Sequence, residues 1–193
     1  MSVRRISIVV AATLLFCTVA IGVARAQGNR SVNDFSLKNS SNTEVSLRSY
    51  VGNKAVVVVF VNPTCAFSKL YQNRLHALND TYSGRGVQFL FINTPINLEG
   101  SEASPESGAS FPYLTDEGQK VSSLLGATKT PEVVVLQPVG NGFAVRYKGA
   151  IDDNPQVEGY VKEHYLADAL NNVLVGQPAT ADKRAVGCLI KRP

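Results

Sequence analysis

Of the three cysteines in this chain, Cys65 and Cys188 lie beyond the apolar N-terminal stretch that carries Cys17, and these two could do covalent chemistry. Cys65 stands in "VVVVFVNPTCAFSKL", where an apolar run gives way to a polar segment with apolar residues at three- and four-residue steps. A cysteine at a helix start faces unpaired backbone N–H groups and the positive end of the helix dipole, and both favour thiolate over thiol. The thiolate is the form that attacks disulfides and peroxides. Ser68, one turn on, is placed either to donate a hydrogen bond to that sulfur or to cap the helix. Lys69 adds a nearby positive charge on a face where lysine is ordinarily solvated. Metal chemistry fits poorly: structural zinc wants four ligands, usually in close pairs, and two distant cysteines are joined here only by His76 and His164. Both histidines read as half-exposed helix residues, and neither a metal nor another cofactor is expected.

The compartment decides what two thiols become. Arg4 and Arg5 precede an apolar run from Ile6 to Val23, and Ala24-Arg25-Ala26 has the small-x-small form of a signal-peptidase site. Residues 1–26 therefore read as a removed secretion signal and the product as exported, to a periplasm or beyond. An uncleaved anchor is the alternative, because the run is almost long enough to span a bilayer. Cys17 follows Phe16, too bulky for a lipoprotein processing site. In an oxidising compartment two thiols end as a disulfide, as reactive groups, or as each in turn.

Of 193 residues, 19 are Lys or Arg and 15 are Asp or Glu. Arg4, Arg5 and Arg25 leave with the signal and no acidic residue does, so most of the +4 excess goes with it. The near-neutral remainder has no long basic run, which argues against nucleic acid or an anionic membrane as partner. The remaining length suits one domain over 27–178, followed by a tail, 179–193, that carries Cys188.

The elements that must position Cys65 follow from patterning. Residues 31–52 hold two short alternating stretches around the turn-rich Asn39 to Asn42, a small hairpin packed before the main sheet. "AVVVVFV" at 55–61 is continuously apolar and β-branched, as a strand covered on both faces should be. Phe67, Leu70, Tyr71, Leu75 and Leu78 then form the stripe of an amphipathic helix. "GVQFLFIN" at 86–93 is a second strand, parallel to the first because a helix joins them. Residues 95–110 read as a surface insertion. A turn at Asp116 to Gly118 leads into a short helix ending near Gly126. "TPEVVVLQPVGNGFAVRYKGAI" is an antiparallel hairpin, Asp152 and Asp153 are turn residues after it, and a last helix spans about 158–175. This order predicts an α/β, thioredoxin-like fold: a central mixed β-sheet flanked by helices, with an N-terminal β-hairpin extension.

"FSLKNSSNTEVSLRSYVGNKAVVVVFVNPTC", "FPYLTDEGQKVSSLLGATKTPEVVVLQPVG" and "RYKGAIDD" together resemble the redoxin superfamily. That superfamily holds the alkyl hydroperoxide reductase/thiol-specific antioxidant group and exported thioredoxin-like oxidoreductases. The resemblance implies that Cys65 is the nucleophile, at the turn between the first core strand and helix. It implies that Thr130-Pro131 is the pair whose proline is cis and lies against that cysteine, offering backbone partners to an extended peptide; a proline that merely starts a strand is the plainer alternative. Ser68 occupies the place of the second cysteine of a C-x-x-C pair, so no adjacent-cysteine disulfide can form. The P-x-x-x-[ST]-x-x-C run of peroxiredoxins is incomplete, with Pro63 and Thr64 one or two residues before the cysteine.

Cys188, in "AVGCLIKRP", lies beyond a Gly176-Gln177-Pro178 break. Ala179 to Gly187 would span about 30 Å if extended, enough to cross a domain of this size. Cys188 is then a resolving thiol that bonds oxidised Cys65, a static staple, or a free thiol. The expected activity is thiol–disulfide exchange through Cys65, with Ser68, Thr130, Pro131 and Cys188 around it. A protein disulfide or thiol is the substrate and a reducing thiol the partner. Thiol-dependent peroxidase and a non-catalytic binding module are the alternatives, and the missing C-x-x-x-C pair argues against copper handling.

Overall fold

The computed structural model describes residues 30–98 and 111–192. The expected signal at 1–26 and most of the 95–110 insertion lie outside the described residues.

The strand Ala55–Val61 (β4) is buried along its whole length, and the pleat explains the unbroken apolar run. Val57 and Val59 point into one core with Tyr71, Leu75, Leu166 and Leu170. Val56, Val58 and Phe60 point into the other with Leu47, Val121 and Leu125. Each such side chain removed from water contributes roughly 1.5–3 kcal/mol before entropy is counted. β4 pairs in parallel with Val87–Asn93 (β5) and antiparallel with Glu132–Val139 (β8).

The remaining strands are Ser31–Val32 (β1), Ser36–Lys38 (β2), Glu44–Ser46 (β3), Tyr113–Thr115 (β6), Lys129–Thr130 (β7), Gly142–Gly149 (β9) and Cys188–Leu189 (β10). Among the described residues, eight of these ten strands form one mixed sheet in the order β1-β9-β8-β4-β5-β6-β2-β3. The expected hairpin is β2–β3, its turn closed by Asn39, whose side-chain oxygen accepts the backbone N–H of Ser41 and Thr43. It extends the sheet beyond β6, whereas β1 pairs at the opposite edge.

Among the described residues three α-helices flank the sheet: Ala66–Ser83 (α1), Lys120–Leu124 (α2) and Tyr165–Leu174 (α3). Two differ from the sequence reading. The buried face of α1 runs through Ser68, Tyr71, Arg74, Leu75 and Tyr82, and Leu70, expected in the stripe, is 49 % exposed. The last helix begins at Tyr165, because Asp153 Oδ1 accepts the N–H groups of Lys162 and Glu163 and holds that approach extended. Tyr160 accordingly faces solvent. Among the described residues no helix is long and apolar enough to cross a membrane.

The C-terminal residues are laced to the domain. Asp182 pairs with Arg30 and accepts the Lys148 N–H, and Lys183 bridges Gly149 in parallel. Ala185 and Ile190 are buried. Farther on, β10 pairs antiparallel with β7, Ile190 bridges Ile96, and Lys191 N–H donates to the Pro95 carbonyl. Segment 182–192 is a strap drawn across the end of the sheet.

Candidate active site

Asn62, 1 % exposed, builds the turn that delivers Cys65 to the helix start. Its Nδ2 donates to the Thr94 carbonyl at 2.9 Å, its Oδ1 accepts the Thr64 N–H at 2.8 Å, and its carbonyl accepts the Cys65 N–H at 3.1 Å. Cys65 then takes the N-cap position of α1 with extended backbone. Its side chain makes no capping hydrogen bond, because the sulfur is otherwise engaged.

Cys65 is bonded to Cys188, with 6.0 Å between their Cα atoms. Cys65 Sγ also lies 3.1 Å from the Thr130 carbonyl oxygen. A disulfide sulfur has no proton to give, so in this state the approach is a contact; in the reduced protein the Cys65 thiol can donate across it. Thr130 is fully buried, and the Thr130–Pro131 peptide is cis. Thr130 is also the ladder partner of Cys188. The backbone edge expected to receive an extended, cysteine-bearing peptide is thus occupied by the chain's own tail.

Ser68 is buried beside this turn, and its hydroxyl accepts the Asn62 N–H at 3.3 Å. In the disulfide form it neither caps the helix nor meets the Cys65 sulfur. A cleft of about 460 Å³ opens next to it, lined by Asn62, Pro63, Thr64, Ser68, Lys69 and the ring of Phe111 among others.

The loop carrying Thr130 is held from below by Glu132, 4 % exposed. One carboxylate oxygen accepts the N–H groups of Thr128 at 2.7 Å and Lys129 at 3.1 Å, and the other lies 3.8 Å from Lys148 Nζ. A second buried carboxylate, Asp152, accepts from the Tyr71 hydroxyl and from Arg74 Nη1, each at 2.6 Å. Arg74 also stacks over the Tyr71 ring. Burial, reinforced by the Asp152 carboxylate, pushes the Tyr71 phenol far above its ordinary value. This triad fixes the sheet-facing side of α1 behind Cys65.

Of the residues singled out in the sequence, Cys65, Cys188 and Thr130 meet directly. The histidines are apart from them: His76 stacks on Phe111 at 3.9 Å, and His164 is exposed just before α3. Sequence reasoning missed Asn62, Glu132 and Asp152. The signals were present as polar residues abutting apolar runs, in "FVNP", "TPEVVVL" and "GAIDD".

The arrangement is a cysteine pair at a helix N-terminus over a mixed sheet, the thioredoxin-like plan. The AhpC/TSA family profile matches residues 29–159. A hypothetical protein from Sinorhizobium meliloti 1021 is similar in structure, at 26 % identity and TM-score 0.72, covering 86 % of this chain and 94 % of that one. An uncharacterized conserved protein from Geobacillus kaustophilus gives 28 %, 0.72, 86 % and 92 %. A candidate thiol:disulfide interchange protein DsbE from Chlorobium tepidum, at 15 % identity and TM-score 0.55 over 76 % of this chain and 96 % of that one, shares the fold. No curated protein matches in sequence.

Proposed function

The chain belongs to the AhpC/TSA family, and from that premise we propose that it is a thiol–disulfide oxidoreductase whose redox couple is Cys65 and Cys188. The bond between these two cysteines at the start of α1 carries the proposal. In the reduced protein the Cys65 thiolate attacks a substrate disulfide, forming a mixed disulfide and releasing one substrate thiolate. Cys188 then attacks the Cys65 sulfur and releases the second. Two electrons pass to the substrate, and the protein is left in the bonded form. Thr130 and Pro131 form the wall of the site, and the Ser68 hydroxyl, which accepts from the Asn62 N–H, has its own proton left to donate to the Cys65 sulfur once the bond opens.

The family name supports a second reading, in which Cys65 reduces a peroxide. The thiolate would take one peroxide oxygen to become a sulfenic acid as the O–O bond breaks and the other oxygen leaves as water or an alcohol, and Cys188 would then condense with the sulfenic acid to the same disulfide, releasing a water. Steady-state assays of wild type and Cys65→Ser with hydrogen peroxide and with insulin disulfides decide between them. Cys65-dependent insulin reduction supports the first reading, and Cys65-dependent peroxide consumption alone replaces it. Activity with neither would leave a binding module. We further propose that residues 1–26 direct export, which intact mass of protein from the native host tests: a chain beginning at Gln27 is expected, and one retaining residues 1–26 would sink the idea.

A further inference from the structure

We propose that the strap is a template for the substrate: the disulfide this protein opens is one whose cysteine follows a glycine and stands two residues before a large aliphatic side chain. The inference rests on the reading of Cys65 and Cys188 as a working redox couple and names the segment that this couple selects.

The sulfur bonded to Cys65 has a defined seat. Cys188 pairs with Thr130 and Leu189 with Lys129 in the β7–β10 ladder, and the Ile190 N–H donates to the Thr128 carbonyl at 3.0 Å. Residues 128–130, just before the cis Thr130–Pro131 peptide, thus act as one edge along which a chain runs antiparallel. Such an edge holds an extended segment through its backbone, and the side-chain positions along it supply the selection. When β10 lifts, the edge groups lose their partners and offer them to an incoming strand. A substrate cysteine laid there in the same direction brings its sulfur to the place of Cys188 Sγ.

The strap shows which side chains that place accepts. Before the cysteine there is no room: a Cβ on Gly187 would stand 2.2 Å from the Thr130 carbonyl oxygen and 2.7 Å from the Thr130 carbonyl carbon, both backbone atoms. Two residues after the cysteine, Ile190 is 4 % exposed, in one buried cluster with Val121, Leu125 and Ala127, and it bridges Ile96. An apolar side chain is favoured there and a polar one without a partner is opposed. Val186 and Leu189 are about half exposed, so the positions between discriminate little. One contact excludes by overlap and the other attracts by burial, and together they select Gly-Cys-x-aliphatic.

The strap can yield the edge without leaving the domain. Arg30 pairs with Asp182, Lys183 bridges Gly149, and Ala185 is buried, all upstream of β10. Cys188 is three residues beyond Ala185, a tether of about 10 Å when extended. The Cys65 thiolate bonds to the glycine-flanked substrate sulfur as the substrate disulfide breaks, and the other substrate cysteine leaves as a thiolate. The Cys188 thiolate then bonds to Cys65 Sγ, and the selected segment leaves as a second thiolate that takes up a proton. The tail re-forms β10 on the edge the segment vacates, so product release and strap closure are one event.

The probe is the peptide of residues 185–192, oxidised to its symmetric disulfide, beside Gly187→Ala and Ile190→Ser versions of the same peptide. Each is mixed with reduced wild-type protein, the released peptide thiol is followed by chromatography, and the rate constant is divided by that of dithiothreitol with the same peptide. The expected result is a normalised rate at least tenfold higher for the unaltered peptide than for either altered one. An altered peptide that reacts as fast as the unaltered one would overturn the selection at that position, while Cys65-dependent reduction of insulin leaves the redox couple standing. Reduction of neither insulin nor any peptide beyond the level of Cys65→Ser would overturn both.

Discussion

Gly187 packs so closely on Thr130 that a Cβ at residue 187 would stand 2.2 Å from the Thr130 carbonyl oxygen. That oxygen belongs to backbone, so relief requires the strap or the loop to move. Gly187→Ala is therefore expected to weaken closure of the Cys65–Cys188 bond. Overpacking of this kind costs about 1–3 kcal/mol, and each ~1.4 kcal/mol is a tenfold change in an equilibrium constant. Titration against dithiothreitol redox buffers should show the variant at least fivefold easier to reduce; an unchanged midpoint would mean that the strap adapts freely.

Reduced Cys65 should be a thiolate near neutral pH. In Cys188→Ser the remaining described cysteine is Cys65, and the start of α1 supplies its stabilising N–H groups. The rate of iodoacetamide labelling should have its midpoint below the ~8.5 of a free thiol. A midpoint at or above that value would show that burial outweighs the helix.

Asp152 and Arg74 are 5 % and 7 % exposed at their side chains, a buried pair rather than a surface one. Removing one partner leaves the other charged and uncompensated, at a cost of about 3–5 kcal/mol. Asp152→Ala should lose that much in urea unfolding of the oxidised protein, and a loss below 1 kcal/mol would show that the guanidinium finds water.

The same network predicts an alkaline limit. The Tyr71 phenol is raised in the folded chain, so its contribution to stability is complete below the unfolded value of about 10 and is lost as pH rises from there toward the folded value. Tyr71→Phe lacks that dependence. Urea unfolding at pH 8 and pH 11 should show wild type ahead by about 1 kcal/mol at the lower pH, for the lost hydrogen bond to Asp152, and a narrower gap at the higher. A gap that widens would reverse the sign of the argument.

Legibility in the sequence followed the range of the interactions. β4 was readable because both its faces meet apolar cores, which leaves an uninterrupted run, and the β8–β9 hairpin because its turn carries glycines. The phase of α1 was misjudged at Leu70 because Ser68 and Arg74, polar residues, take inward positions for reasons that lie elsewhere: Asn62 for one, Asp152 for the other. The strands β7 and β10 have two residues each and no periodicity to detect. Their pairing exists only because a distant tail returns to Thr130. Cys188 could be named from the sequence as a thiol within reach of Cys65, while Asn62 and Glu132, which shape the place where they meet, act through backbone groups that no spacing rule reveals.

The strap also changes what kind of object the chain is. Closed, the Cys65–Cys188 bond turns the backbone between them into a ring, with the two residues 123 apart in sequence. In the chain-entropy account a ring of that size denies the unfolded state about 5 kcal/mol of freedom. A natural domain's whole stability is only about 5–15 kcal/mol. In the proposed cycle, the bond that forms as the electrons are given up is thus also a main determinant of durability. Under the proposed thiol–disulfide exchange, a spent molecule is the robust one, and a molecule ready to react is the one that unfolds sooner and meets proteases first.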